Sequence, residues 1–152
     1  MLNFFDSFFK KDNDLEKMNF SLEIGPHTDL ETLPPVKDVY VTMLPGGDYK
    51  DTADKSGNLV KKGFNPVPHF PARSINNEEE LKEYVSRCKD QGVKQALVIG
   101  GSRDPIGKFD SSYQILETGF FDGIKICIAG HPEGSPDIPE QNLEKAMVDK
   151  KP

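Results

Sequence analysis

A single carboxylate stands inside an apolar, strand-like run, Phe20-Ser-Leu-Glu-Ile24. Taking a carboxylate out of water is costly unless it is paired, exposed or held protonated. Pointed into a cavity, Glu23 would titrate high enough to donate a proton near neutrality. Facing solvent from an edge strand, it would be an ordinary surface residue, and the run itself leaves both readings open. His69 ends a second run, Val67-Pro-His-Phe-Pro71, whose flanking prolines fix the backbone and hold the imidazole in one direction. Such a histidine either hydrogen-bonds a bound cofactor or substrate, or is satisfied within the fold. Thr42, at the end of Tyr40-Val-Thr-Met43, adds a hydroxyl at a comparable place.

Two loops also carry chemistry-bearing residues. Gly100-Gly-Ser-Arg-Asp-Pro105 follows an apolar run directly. Its glycines allow close backbone approach, and their amides could form a nest for a phosphate. Arg103 could pair with that phosphate and Asp104 with a polar ring edge, whereas the plain alternative is a tight turn. The second loop, Ile128-Ala-Gly-His-Pro-Glu-Gly-Ser-Pro136, could turn His131, Glu133 and Ser135 toward a pocket. No His or Cys pair has metal-ligand spacing, so a zinc site is not expected. No G-x-S-x-G nucleophile elbow occurs either.

The elements that must position these groups are legible from periodicity. Strand-like runs cover residues 20–24, 39–43, 66–70, 96–99 and 124–129. The third is weakened by its own prolines. The last two are near-continuous apolar runs of the kind buried on both faces of a parallel sheet. Asn77 with Glu80 gives a capping signal before Leu81, Tyr84, Val85 and Cys88, which repeat at helical spacing. Asp137 with Glu140 repeats that signal before Leu143, Ala146 and Met147. Further helices are expected over residues 49–62 and 112–118, and only a turn or so fits between residues 28 and 35. Strand and helix thus alternate, the α/β pattern with right-handed crossovers.

Composition bounds the function. The chain has 152 residues with 36% hydrophobic and 29% charged content, enough for one soluble domain with a core. A net charge of -6 with no basic arm argues against nucleic acid or anionic lipid as a partner. No apolar run is long enough to span a bilayer. The start, residues 1–19, reads as a leader helix with Phe4, Phe5, Phe8 and Phe9 on one face, docking on its own domain. It lacks the basic region and cleavage site of a secretory signal. Cys88 and Cys127 read as buried thiols in a reducing compartment, so a cytoplasmic protein is expected.

A dinucleotide-binding open sheet should show G-x-G-x-x-G after its first strand, but Gly25-Pro-His-Thr28 stands there. Glu23, Thr42, His69, residues 102–104 and residues 131–135 instead recur at strand C-terminal ends. A (β/α)8 barrel builds its active site this way, so the expected fold class is α/β, an incomplete TIM barrel of about five parallel strands across residues 20–152.

Five runs in register resemble the methylenetetrahydrofolate reductase family. They are Leu22-Glu-Ile24, Val39-Tyr-Val-Thr-Met43, Pro68-His-Phe-Pro-Ala-Arg73, Leu97-Val-Ile-Gly-Gly101 and Ala129-Gly-His-Pro-Glu-Gly-Ser-Pro136. Their order and spacing match from about residue 20 to residue 147. The resemblance implies a barrel that binds FAD without a Rossmann loop, takes hydride from NADH or NADPH, and reduces 5,10-methylenetetrahydrofolate to 5-methyltetrahydrofolate. That is one-carbon chemistry on the route to methionine. It implies Glu23 as the general acid that helps open the folate ring. Asp104 would stand near the flavin ring and the folate, with Thr42, His69, Gly100, Gly101, Ala129, His131 and Ser135 along the cofactor.

The chain departs from the family at several of these places. Gly25-Pro26 replaces the usual pair of prolines, Gly101-Ser-Arg-Asp104 reorders an Arg-Gly-Asp, and Ser135 stands where some members have histidine. Such a barrel takes roughly 250 residues, so strands six to eight are expected to be missing from the 152 residues here. Besides the enzyme, two alternatives follow. One is a non-catalytic remnant or subunit that completes its barrel with a second copy or a complementing C-terminal half. The other is a flavin-binding barrel acting on another one-carbon substrate.

Overall fold

Side chains alternate across a β-strand, and in this chain the alternation separates two chemistries. Leu22, Ile24, Val39, Val41, Phe70, Ala96, Val98 and Ile126 fall on one face of the strands; Glu23, Asp38, Tyr40, Asn65, His69, Gln95 and Cys127 fall on the other. The structure, a computed structural model, describes residues 20–130, 134 and 140–149. The expected leader helix, Asp137, His131 and Ser135 lie outside the described residues.

Five strands, β1 (Leu22–Ile24), β2 (Asp38–Val41), β3 (Asn65–Pro71), β4 (Gln95–Ile99) and β5 (Lys125–Ile128), form one all-parallel sheet in the order β1-β2-β3-β4-β5. Among the described residues four helices accompany them: α1 (Tyr49–Lys61), α2 (Glu78–Asp90), α3 (Ser112–Leu116) and α4 (Glu140–Asp149). A 3-10 turn at Leu30–Thr32 occupies the short first connection. The α/β alternation expected from the sequence is therefore present. The strand order contains no reversal, unlike that of a doubly wound sheet. Right-handed crossovers that always advance in one direction deposit every connecting helix on the same face.

That face is the apolar one. Val39, Val41, Ile24 and Leu59 form one core cluster. Phe70, Ala96 and Val98 join Leu81, Tyr84, Val85 and Cys88 of α2 in the larger one. Phe70 stacks on Tyr84 with ring centroids 4.0 Å apart and meets Phe121 edge-on at 5.0 Å. Each such side chain contributes about 1.5–3 kcal/mol on leaving water. The Asn77 cap forms as the spacing indicates, its side chain accepting from Glu80 N at 2.8 Å. On the surface, Arg87 of α2 grips Asp54 of α1 with two bonds of 2.9 and 2.8 Å.

The third strand is stronger than its prolines suggest. It is seven residues long and sits at the centre of the sheet. In a parallel strand, alternate residues bond to opposite neighbours. Asn65 N–H donates to Lys37 O at 2.9 Å, so the odd residues serve β2. Pro66 and Pro68 both turn their missing donors toward β4, whose pairing begins only at His69. The ladder therefore loses bonds on one side, over the stretch before that pairing starts.

None of Tyr40, Val67, Leu97, Ile99 and Cys127 belongs to either helix-backed cluster. After burial, Cys127 on β5 is the next cause that raises the pKa of Tyr40 on β2. Three strand spacings in a flat sheet total roughly 14 Å, so the influence of Cys127 on the Tyr40 phenol points to a sheet curled into a concave face on this side. At the strands' N-terminal end, Asp38 Oδ1 accepts from Gln95 Nε2 at 3.1 Å and also from Asn65 Nδ2, tying β2, β3 and β4 together. Gln95 is buried, so losing its acceptor leaves an unsatisfied amide. Asp38→Ala should lower stability by about 1–3 kcal/mol in urea unfolding, and an unchanged midpoint would show the layer to be dispensable.

Candidate functional site

The C-terminal half of the concave face gathers Glu23, Tyr40, His69 and Cys127. Glu23 is in register with Tyr40, and Tyr40 with Val67, two residues before His69. Leu97 lies between His69 and Cys127 in the next row. Glu23 Oε2 stands 3.7 Å from His69 Nε2, with side chains 63% and 10% exposed respectively. Tyr40 meets the imidazole edge-on, centroids 6.1 Å apart. His69 Nε2 is buried and has no hydrogen-bond partner among the described residues.

His69 is held there by its backbone. Its carbonyl lies beyond the β2 ladder and accepts a 2.9 Å bond from the fully buried Tyr84 hydroxyl of α2. Burial pushes the His69 pKa below the ordinary 6.5, and the Glu23 carboxylate opposes that shift. The phenol of Tyr40 is pushed up by burial first, then by Cys127 and Asp38. The site thus combines a buried imidazole, a phenol, a half-buried cysteine and an accessible glutamate.

The two readings of Glu23 each hold in part. It is exposed on the edge strand, so burial does not hold it, yet it faces the concave side beside His69. Thr42 is committed within the fold: its N–H and its hydroxyl both donate to Ile24 O, at 2.9 and 3.2 Å, which secures β1 to β2. Gly100 and Gly101 follow β4, and Ala129 follows β5 two residues after Cys127, all partly buried. Asp104 is exposed on the loop after β4, and Arg103 is half-buried beside it.

That loop is fixed by Arg73, which follows β3. Arg73 N–H donates to Gly100 O at 3.0 Å and Arg73 O accepts from Ile106 N at 3.1 Å. The guanidinium Nε reaches Asp110 O at 2.9 Å and Asp110 Oδ1 at 3.1 Å. Gly101 takes the left-handed conformation, φ 93°, and Gly107 packs so closely that a Cβ there would meet the Asn76 carbonyl oxygen at 2.0 Å.

Sequence reasoning missed Tyr40, Cys127 and the role of Arg73. A period-two count back from Thr42 and Ala129 places Tyr40 and Cys127 on the same face as those residues. Cys127 is correspondingly not the enclosed thiol expected: it is half-buried, whereas Cys88 is buried and its thiol pushed up to about 12 by desolvation. Among the described residues no group of three His, Cys, Asp or Glu could hold a metal ion. An open pocket of about 250 Å³ near Glu78, Lys108 and Phe109 shares no residue with this cluster. No helix among the described residues is long and apolar enough to cross a membrane.

The fold and site define an all-parallel, singly wound α/β protein with a polar cluster at the C-terminal ends of its strands. No protein-family model matches the chain.

Two outcomes are expected. Gly107→Ala should cost about 1–3 kcal/mol, the range for overpacking, because the obstructing atoms are backbone; a neutral result in thermal unfolding would contradict the close approach. For His69 the folded-state pKa lies below the unfolded 6.5. The unfolded chain therefore binds the extra proton first, and stability is full above 6.5 and declines as pH falls through the folded value. Urea midpoints measured from pH 8 down to about 5 should fall in the native chain and stay flatter in His69→Gln. The Asp54 carboxylate, held low by Arg87, responds only below its own ordinary 3.8.

Proposed function

We propose that this chain is a methylenetetrahydrofolate reductase-type flavoprotein built on strands one to five of a (β/α)8 barrel. Its concave face takes FAD and a reduced folate, and NADH or NADPH supplies the hydride. The observation that carries the reading is the 3.7 Å approach of Glu23 to a buried His69 Nε2 that has no hydrogen-bond partner among the described residues, on the concave side of a singly wound sheet. The lack of a strand-order reversal favours a barrel over an open sheet, and the curl inferred from Tyr40 and Cys127 runs the same way.

The residues present fit a bound flavin in most respects. His69 Nε2 is an orphaned buried polar atom facing the site. Gly100 has open space where a side chain would stand, so the backbone there is accessible to a ligand. Thr42 fits less well as a donor, because its hydroxyl proton is used by Ile24 O, although its oxygen retains acceptor capacity. Bound FAD supplies the hydride relay between the nicotinamide and the folate. Glu23, accessible on the edge strand, takes a proton from solvent and passes it to the folate as the ring opens. Asp104 approaches from the loop that Arg73 secures, Gly101 and Ala129 line the cofactor, and the resemblance adds His131 and Ser135.

A second reading has an observation of its own. Among the described residues β1 and β5 each pair on one side only, and open edges invite further strands. A second copy or a complementing half would then finish the barrel.

Titrating the purified chain with FAD, with its mass in solution measured alongside, separates the readings. A one-to-one yellow complex, bleached by NAD(P)H and recoloured by methylenetetrahydrofolate, is expected. Glu23→Gln should keep the flavin and slow the folate step by about 10²–10⁴-fold, the usual worth of a general acid. Bleaching without folate-dependent recolouring would point to another one-carbon substrate, and a folded, colourless oligomer would point to the non-catalytic subunit.

A further inference from the structure

The imidazole of His69 has a problem that its surroundings leave unsolved. Its Nε2 is buried without a partner among the described residues, and leaving a buried polar group unmet is costly. Tyr84 secures the backbone oxygen and leaves the ring unengaged. From β2, Tyr40 presents a ring contact, 6.1 Å between centroids. From β4, the residue in register is Leu97, which offers no side-chain acceptor. Cys127 on β5 acts on Tyr40 rather than on the imidazole. Glu23 on β1 is the charged group that acts on His69, and its Oε2 lies 3.7 Å from Nε2. That is too far for a hydrogen bond, but the carboxylate is 63% exposed and free to rotate.

We propose that His69 is a positioning residue for Glu23: Nε2–H takes the neighbouring carboxylate oxygen as its acceptor, and the buried ring fixes the exposed acid over the concave face. One carboxylate oxygen then engages the imidazole, leaving the other for the ligand. The rigid partner is the histidine, held by Tyr84 and by the prolines at 68 and 71; the adjustable partner is the glutamate. Water exclusion on ligand binding strengthens the bond, since a hydrogen bond to a charged group is stronger in a low-dielectric site. Protonating His69 strengthens it as well, because the carboxylate then faces an imidazolium.

The meaning of this pair for catalysis rests on the reductase reading, but the pairing is testable without flavin or folate. The chain has three histidines, and His69→Gln identifies which ring signal in proton NMR belongs to His69. In the native chain and in Glu23→Gln, an exposed and near-isosteric change, the titration midpoint of that signal is measured. Loss of the carboxylate should lower the midpoint by about half a pH unit, a threefold drop in proton affinity. His27, 77% exposed and beside Asp51, serves as the control signal.

A His69 midpoint identical in the two proteins overturns the proposal. If the midpoint moves but no folate is reduced, the positioning stands and the reductase reading fails. If Glu23→Gln abolishes folate reduction while the His69 midpoint stays put, Glu23 acts without His69.

Discussion

The constraint on which the rest of the structure depends is the one-directional winding of a parallel sheet. Each strand is added beside the last, from β1 to β5, and each crossover returns over the same face. One face must then be apolar enough to carry every helix, and it is: Val39, Val41, Phe70, Ala96 and Val98 have no exposed surface. The opposite face is released from that duty. It can hold polar groups, provided they satisfy one another or face a ligand. Asp38, Asn65 and Gln95 take the first course at the N-terminal end of the strands, and near the C-terminal end His69 Nε2 faces Glu23 Oε2 at 3.7 Å.

Rigidity is transmitted to the site through the helix side of the sheet. Tyr84 of α2 stacks on Phe70 and, with its hydroxyl, holds the carbonyl of the next residue back, His69. Burying so large a ring requires a partner for its hydroxyl. The one it finds is the carbonyl left free where the β2 ladder ends. The same contact therefore satisfies the core and orients the imidazole on the far side of the strand. Arg73 does comparable work a few residues later, joining the end of β3 to the loop after β4, where Arg103 and Asp104 stand.

The proline-rich third strand shows how local signals and tertiary pairing diverge. Propensity alone demotes a run with prolines at 66, 68 and 71. What matters in the sheet is the direction in which each missing N–H would have pointed. Their spacing of two sends the first two absences toward the same neighbour, so β2 still meets a complete ladder. The prolines in turn stiffen the backbone around His69.

The sequence by itself determined the alternation of strand and helix, the ends of α1 and α2, and the Asn77 cap. These rest on periodicity and on bonds between residues a few positions apart. It also pointed to Glu23 and His69, because a carboxylate in an apolar strand and a histidine between prolines are each locally conspicuous. Only the tertiary structure decided that these two face each other, that Thr42 spends its hydroxyl on Ile24, and that Tyr40 and Cys127 belong to the same cluster. Those relations join residues 18 to 87 positions apart in the chain, as Thr42 with Ile24 and Tyr40 with Cys127 illustrate. Local propensity carries no record of such distances. They are set by register and by the curl of the sheet, which exist only once the strands have paired.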